Sequence, residues 1–282
     1  MKLLSQPKSC QNLRLLDNLQ LLCKIVPELE ETKGVVQPKE HHWNVFEHSI
    51  ETVGQVETLF ETSNNGSIFP YNRIPKFEFM DRYFSEEISD GYNRSEFLKL
   101  TALLHDISKP STKTVEPSGK IRFIGHNSEG ATVVSHLLEK YRFGRTGIDF
   151  ASRMVLYHLR PSQMAEPGMM PSVRAIYRYF RDLGNAAIDT LYLNLGDYLA
   201  ARGPELGASE WGAHCETIDH ILKHMSTINV NRNPALIDGH VIMKTFGLQP
   251  GPDVGKLIEL VNEAQASGEI SSTHDAMGLI ET

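Results

Sequence analysis

Cysteine is scarce in this sequence. Cys10, Cys23 and Cys215 are the only three. They are scattered and lack CxxC spacing, which argues against a disulfide framework or a thiolate zinc site and for a reducing compartment. Long hydrophobic runs are missing too. No stretch approaches membrane-spanning length, and the start (Lys2, then Leu3-Leu4, then Ser, Gln, Pro and Lys) lacks the sustained apolar core of a signal peptide. A cytoplasmic location with no membrane contact is expected. There is no excess of positive charge: 28 Lys and Arg stand against 35 Asp and Glu, a net charge of -7. Any contact with nucleic acid must therefore come from a local basic patch. Repeats and low-complexity tracts are also absent. With 40% hydrophobic and 22% charged residues, the composition is that of an ordinary globular protein. A length of 282 residues suits one large domain or a domain with an appendage.

Apolar residues recur at three- and four-residue intervals while alternating runs are scarce, which predicts an all-α fold. Leu13, Leu16, Leu19, Leu22 and Ile25 form a first amphipathic segment that stops near Pro27. Its stripe is a packing face, against its own domain or against a second copy in a homodimer. Val45, Val53, Val56 and Phe60 mark a helix carrying His48. Residues 62 to 94 read as a long irregular insertion. The run from Phe97 to Leu104 predicts a buried helix that ends just beyond His105-Asp106, at Lys109-Pro110. Further helices are expected from about Asn127 or Ser128 to Tyr141, from Ile148 to Leu159, one or two between Pro171 and Ala201, one around Ile218 to Met225, and one from Val254 to Glu263. The shift to polar residues after Gly203-Pro204 suggests a boundary near 205. The expected organisation is an N-terminal helical segment over 1–40, a main domain over 41–205 and a small helical tail over 206–282.

His48, His105-Asp106, His126, His158 and Asp197 share one oddity: all lie on or at the ends of strongly apolar helical segments. A buried carboxylate costs several kcal/mol unless it is paired or bound to a metal, and a shared cation explains so many polar groups in a core. Imidazole and carboxylate suit Mn, Fe, Co, Ni and Zn, and Mg less well. Taken singly, His126 or His158 reads equally as a hydrogen-bonded core histidine. His220 and His224 have i, i+4 spacing, but with only Glu216 nearby they read as a solvated face. His41-His42 either line the entrance to the site or lie on the surface.

The wording around these residues is specific: Trp43-Asn44-Val45-Phe46-Glu47-His48, Leu103-Leu104-His105-Asp106-Ile107-Ser108-Lys109-Pro110, Gly125-His126 with Glu129-Gly130-Ala131, and His158-Leu159-Arg160-Pro161. With Asp197 it resembles the H…HD…D signature of the HD phosphohydrolase superfamily, an all-helical bundle around metal. In particular it is similar to the HD domain of bacterial tRNA nucleotidyltransferase/poly(A) polymerase proteins. Gly239-His240-Val241-Ile242-Met243, Phe246-Gly247-Leu248, Pro250-Gly251-Pro252 and Glu263-Ala264-Gln265 resemble the C-terminal region of that family. The resemblance covers roughly residues 10 to 282. The Gly-Ser motif and paired aspartates of the family's nucleotidyltransferase head do not occur in this sequence, so neither CCA addition nor poly(A) addition is expected of it. Ser108 stands where the family usually has Gly.

The resemblance implies that His48, His105, Asp106 and Asp197 hold a first divalent metal, that Asp106 bridges to a second, and that His126 and His158 complete the second site. Catalysis would rest on Asp106 and Lys109, with Lys109 and Arg160 contacting phosphoryl oxygens. The implied activity is metal-dependent phosphohydrolysis of a small phosphate ester or nucleotide, as a phosphomonoesterase or cyclic phosphodiesterase on nucleotides or RNA ends, with a metal-bound hydroxide as nucleophile. Two alternatives stand beside it. One is a non-catalytic tRNA-binding or partner subunit for a separately encoded nucleotidyltransferase. The other is a di-iron oxygenase built on the same ligands.

Overall fold

The computed structural model describes residues 1–61, 68–225 and 235–281, and helices dominate it. The only strands among the described residues are two short antiparallel pairs. Glu87–Ser89 pairs with Tyr92–Asn93. Lys113–Val115 pairs with Ile121–Phe123, with Lys113 opposite Phe123. Backbone contacts divide the chain into two compact units, Met1–Gln163 with Asn185–Ile218, and Met164–Gly184 with Asp219–Thr282. The first forty residues thus belong to the first unit, and the expected boundary near 205 falls inside it. Among the described residues, no helix is long and apolar enough to cross a membrane.

The centre of the first unit consists of the helices Val45–Glu61, Arg94–Leu104 and Ala187–Arg202, which pack pairwise. Arg145–Tyr157 packs against His126–Lys140 and Arg94–Leu104. Each start has a local cause. Asn93 and Glu96 form a reciprocal capping box that opens the Arg94 helix, and the Asn44 side chain accepts a hydrogen bond from the Glu47 amide in the first turn of the Val45 helix. Val53, Val56, Phe97, Leu98, Leu191 and Leu195 are buried between these helices. The Ala187 helix is buried on nearly all sides, as an apolar run without a polar stripe requires.

Gly196 allows a close helix crossing. A Cβ there would lie 2.6 Å from Val56 Cγ2. Val56 is buried and β-branched, so its side chain has little freedom to turn away. Gly196→Ala should gain up to about 1 kcal/mol of helix propensity and lose about 1–3 kcal/mol to overpacking. The expected net result is a melting temperature lower by a few degrees, measured by circular dichroism.

A second feature of this unit is a buried ion pair. Arg94 Nη1 donates to Asp189 Oδ2 at 2.8 Å and to the Asn185 carbonyl at 2.9 Å. The Tyr83 hydroxyl donates to the same carboxylate oxygen at 2.6 Å. Burial pushes the Asp189 carboxyl up to about 6, against the opposing pull of Arg94. Arg94→Met would leave that carboxylate buried beside an apolar side chain, and about 3–5 kcal/mol of stability should be lost. Urea unfolding checks this, and an unchanged midpoint would contradict it.

The second unit has its own small core of Ile237, Ile242, Val254, Val261, Ala264, Ile270 and Ala276. Its helices Val173–Leu183 and Gly239–Phe246 are capped by Ser172 and Asp238. Arg178 grips the buried Glu263 with two hydrogen bonds of 2.7 Å, and Arg181 pairs with Glu259 and Glu263. His220 Nε2 lies 3.1 Å from the Pro171 carbonyl, and His224 Nδ1 lies 2.9 Å from the His220 carbonyl. Neither histidine belongs to a cluster able to hold metal among the described residues.

Several elements differ from the sequence expectation. The first amphipathic segment breaks into Ser9–Asn18 and Leu22–Ile25, with Gln20 at a positive φ of 57° between them, so Leu13 and Leu22 are buried while Leu19 and Ile25 are exposed. Within 62 to 94, part of which lies outside the described residues, the helix Met80–Ser85 and the first strand pair occur. The helix expected around Ile218 already starts at Ala208.

Candidate metal centre

Four histidines and two aspartates converge in the first unit. His48 lies in the first turn of its helix, which begins at Val45. His105 caps the C-terminus of the buried Arg94 helix, and His158 does the same for the Arg145 helix. His126 opens its own helix directly after Gly125. Asp197 follows Gly196 on the Ala187 helix. His48, His105, Asp106 and His158 are at most 1% exposed, and His126 is 6% exposed.

Helix ends matter here because their last carbonyls have no intrahelical partner. His105 Nδ1 lies 2.8 Å from the Ala102 carbonyl and His158 Nδ1 lies 2.6 Å from the Val155 carbonyl, each three residues back. The His126 Nδ1 contact is 2.7 Å, to the Phe123 carbonyl at the end of a strand. A carbonyl can only accept, so these contacts assign a proton to Nδ1 and, whenever the ring is neutral, leave the lone pair on Nε2.

The free nitrogens gather around Asp106. Its Oδ2 lies 3.5 Å from His48 Nε2 and 3.2 Å from His105 Nε2. Its Oδ1 lies 3.4 Å from His126 Nε2 and 3.7 Å from His158 Nε2. Asp197 Oδ1 closes the first side, 2.9 Å from His48 Nε2 and 3.6 Å from His105 Nε2. Although close, these atoms are not aligned for hydrogen bonding: His48 Nε2, His105 Nε2 and both Asp106 oxygens have no such partner despite full burial. His126 Nε2 and His158 Nε2 face each other at 3.3 Å, an arrangement that sets two lone pairs in opposition when both rings are neutral.

Orphaned, converging donor atoms of this kind fit a cation, and nitrogen with carboxylate oxygen suits a divalent transition metal. Two trios meet the spacing, His48-His105-Asp106 and Asp106-His126-His158, and Asp106 serves both. Electrostatics agree. Burial alone would raise Asp106, but the charges of His105 and Lys109 hold its carboxyl well below the usual carboxylate range. Burial alone would lower His105, but Asp106 and Asp197 push it up to about 10. Burial keeps His48 low and, with the His105 charge, pushes His158 down to about 3.

The cluster forms the floor of a cleft of about 470 Å³, lined by Asp106, His126, His158 and Asp197 together with side chains from three walls. One wall is the second strand pair with Lys120, Arg122, Phe123 and Ile124; another is Asn194, Tyr198 and Arg202; Pro38 and His41 form the third. His41 therefore lines the entrance, its ring 5.2 Å from that of His48. His42 packs instead near Gly203, 4.0 Å from Glu205. Lys109 places Nζ 2.6 Å from Asp106 Oδ2. Arg160, expected to contact phosphate, is not among the residues lining this cleft, and its guanidinium lies 5.3 Å from the Tyr157 ring centroid. Ser108 has φ -97°, a conformation open to any residue, so the backbone there makes no demand for glycine.

Some residues of the site escaped the sequence reading. Asn194 donates to the His158 carbonyl at 3.0 Å. It lies three residues before Asp197, on the same face of a helix whose other side chains are mostly apolar, and that spacing is the signal that could have found it. Lys120, Arg122 and Arg202 had no such signal.

Comparison with known proteins agrees with this arrangement. The "HD domain" family matches residues 45–187, about half of the chain. The chain is 28% identical over 282 residues to an A-adding tRNA nucleotidyltransferase of Deinococcus radiodurans, with 99% of this chain and 56% of the relative covered. It is also 28% identical over 282 residues to a CC-adding tRNA nucleotidyltransferase of Thermus thermophilus, with 99% and 54% covered. The chain spans about half the length of these relatives. With a helical bundle, paired histidine trios around one aspartate, and a family match that includes five of the six converging residues, the chain belongs to the HD-domain family.

Proposed function

We propose that the chain is a metal-dependent phosphohydrolase acting on phosphomonoesters or cyclic phosphodiesters of nucleotides or RNA ends. One observation carries this reading: the two oxygens of the buried Asp106 each face a different histidine pair at the floor of an open cleft. His48, His105, Asp106 and Asp197 would hold one ion, and Asp106, His126 and His158 a second. Divalent ions supply positive charge for phosphoryl oxygens and lower the pKa of a water molecule.

The other roles belong to the side chains of the protein. Lys109, at the floor, takes a non-bridging phosphoryl oxygen. Lys120 brings a positive charge to the cleft lining, while Arg122 and Arg202, which also line it, are paired with Glu116 and Glu210; an anion would be drawn in by Lys120 and would compete for the two guanidinium groups. Phe123, Ile124 and Tyr198 offer apolar faces for a nucleoside. Tyr198 is braced from behind by His214, stacked at 4.2 Å and 12°. Arg160 has no part in this reading.

The test is hydrolysis of p-nitrophenyl phosphate, nucleoside monophosphates and 2',3'-cyclic nucleotides by protein loaded with Mn or Ni, beside Asp106→Asn. Equal, slow hydrolysis by both proteins would remove the proposal. A second reading has its own support, because the similarity to tRNA nucleotidyltransferases covers 99% of the chain and so includes the second unit. On this reading the chain binds tRNA for a separate catalytic partner. It requires salt-sensitive tRNA binding that survives His48→Ala, and filter binding at two salt concentrations decides it.

A further inference from the structure

Lys109 is 6% exposed, and its ammonium carries three N–H donors that burial obliges it to use. Nζ lies 2.6 Å from Asp106 Oδ2 and donates to Gln37 Oε1 at 2.7 Å. The Phe123 ring centroid lies 5.5 Å away. Lys109 also lines the cleft, so with one donor on Gln37 and the ammonium in ionic contact with Asp106, a further N–H is left for whatever the cleft holds.

Gln37 is itself buried at 6% exposure. Its Nε2 donates to the Trp43 carbonyl at 3.2 Å, so both ends of the amide are engaged and its oxygen is fixed toward the lysine. Gln37 precedes the stretch 45–187 that matches the HD domain, beyond Pro27 where the first amphipathic segment stops. An amide oxygen is a particular choice of partner. It accepts one N–H and orients the ammonium, yet leaves the positive charge uncancelled, which a carboxylate in its place would not.

We propose that Gln37 is a positioning residue for phosphate binding: it holds Lys109 Nζ between Asp106 and the cleft so that the third N–H meets a phosphoryl oxygen. The proposal rests on the phosphohydrolase reading for its substrate, but its core claim is that Gln37 acts through Lys109 on a bound phosphate group. Without Gln37 the ammonium keeps only its contact with Asp106 and can turn about its terminal bond. The segment before the HD domain thus completes the site.

A double-mutant cycle tests it, with Gln37→Met, Lys109→Met and the two combined. The readouts are inorganic phosphate affinity by calorimetry on Mn-loaded protein, kcat and KM on 2',3'-cyclic AMP, and metal content by plasma mass spectrometry. Gln37→Met should weaken phosphate binding about tenfold when Lys109 is present and by less than about twofold in the Lys109→Met background, with metal content unchanged in both. Equal losses in both backgrounds would overturn the proposal, as would a wild type that binds no phosphate. If wild type turns over no ester while phosphate affinity shows the coupling, the hydrolase reading fails and the role of Gln37 stands. Should Gln37→Met not fold, Gln37→Glu keeps an acceptor but cancels the lysine charge. It too should weaken phosphate binding about tenfold, and unchanged affinity would overturn the inference.

Discussion

Asp106→Asn is expected to abolish metal binding and lower phosphohydrolase kcat by about a thousandfold or more, the loss that corresponds to about 4 kcal/mol of charge stabilisation. The reason is geometric. Oδ2 faces His48 and His105 while Oδ1 faces His126 and His158, so one substitution takes an anionic oxygen from both trios. An amide also presents one N–H₂ to these nitrogens, where it can donate to a lone pair that a cation would need. His126→Ala touches only one side, and wild type, His126→Ala and Asp106→Asn should carry about two, about one and almost no metal equivalents. Plasma mass spectrometry on protein purified without chelator gives these values directly. Full metal content in Asp106→Asn would separate the cluster from metal binding altogether.

Lys109→Met should separate the two functions of the site. With its ammonium 2.6 Å from Asp106 Oδ2, the lysine competes with any cation for that oxygen. Removing it should raise metal affinity several-fold, since repulsion between buried like charges is strong. The same change removes the donor for the phosphoryl oxygen, and kcat should fall about a hundredfold, the scale of losing one charged transition-state contact. Metal titration and steady-state kinetics on the same samples check both halves. Metal affinity and kcat falling together would mean that Lys109 supports the metal ligands and makes no contact with substrate.

The six converging residues were legible in the sequence for a physical reason: each interrupts or ends an apolar helical run, where an unpaired polar group would be costly. The doublet His105-Asp106 at the close of the Arg94–Leu104 helix was the clearest case. Gln37 was hidden because its hydrogen-bond partner is a lysine 72 positions away, and a polar residue between Gly34 and Pro38 carries no helical or strand period. The strands Lys113–Val115 and Ile121–Phe123 were hidden because each is three residues long, too short for alternation to register. Yet this pair supplies the Phe123 carbonyl that orients His126, and two of the cleft's cations. Composition also marks a different place from packing. The polar shift near 205 records the end of the buried Ala187–Arg202 helix, whereas the division between units falls within Ala208–Met225. Residues 164 to 184 join the second unit through Arg178 and Arg181, which pair with Glu263 and Glu259 far along the chain.

The crossing at Gly196 bears on time as well as on stability. It locks the helix of Asp197 against the helix of His48 at a closely packed point of the first unit. Amides near 52–56 and 192–199 should therefore be among the last to exchange with deuterium, opening only when the unit unfolds as a whole. An ion held between these helices has no side exit created by fraying or breathing of the bundle. Its route out is the mouth of the cleft, past His41 and Arg202. On the metal reading proposed above, the residence time of an ion would be governed by the rim, and substitutions there should change the rate of release while the equilibrium affinity set by the floor stays where it was.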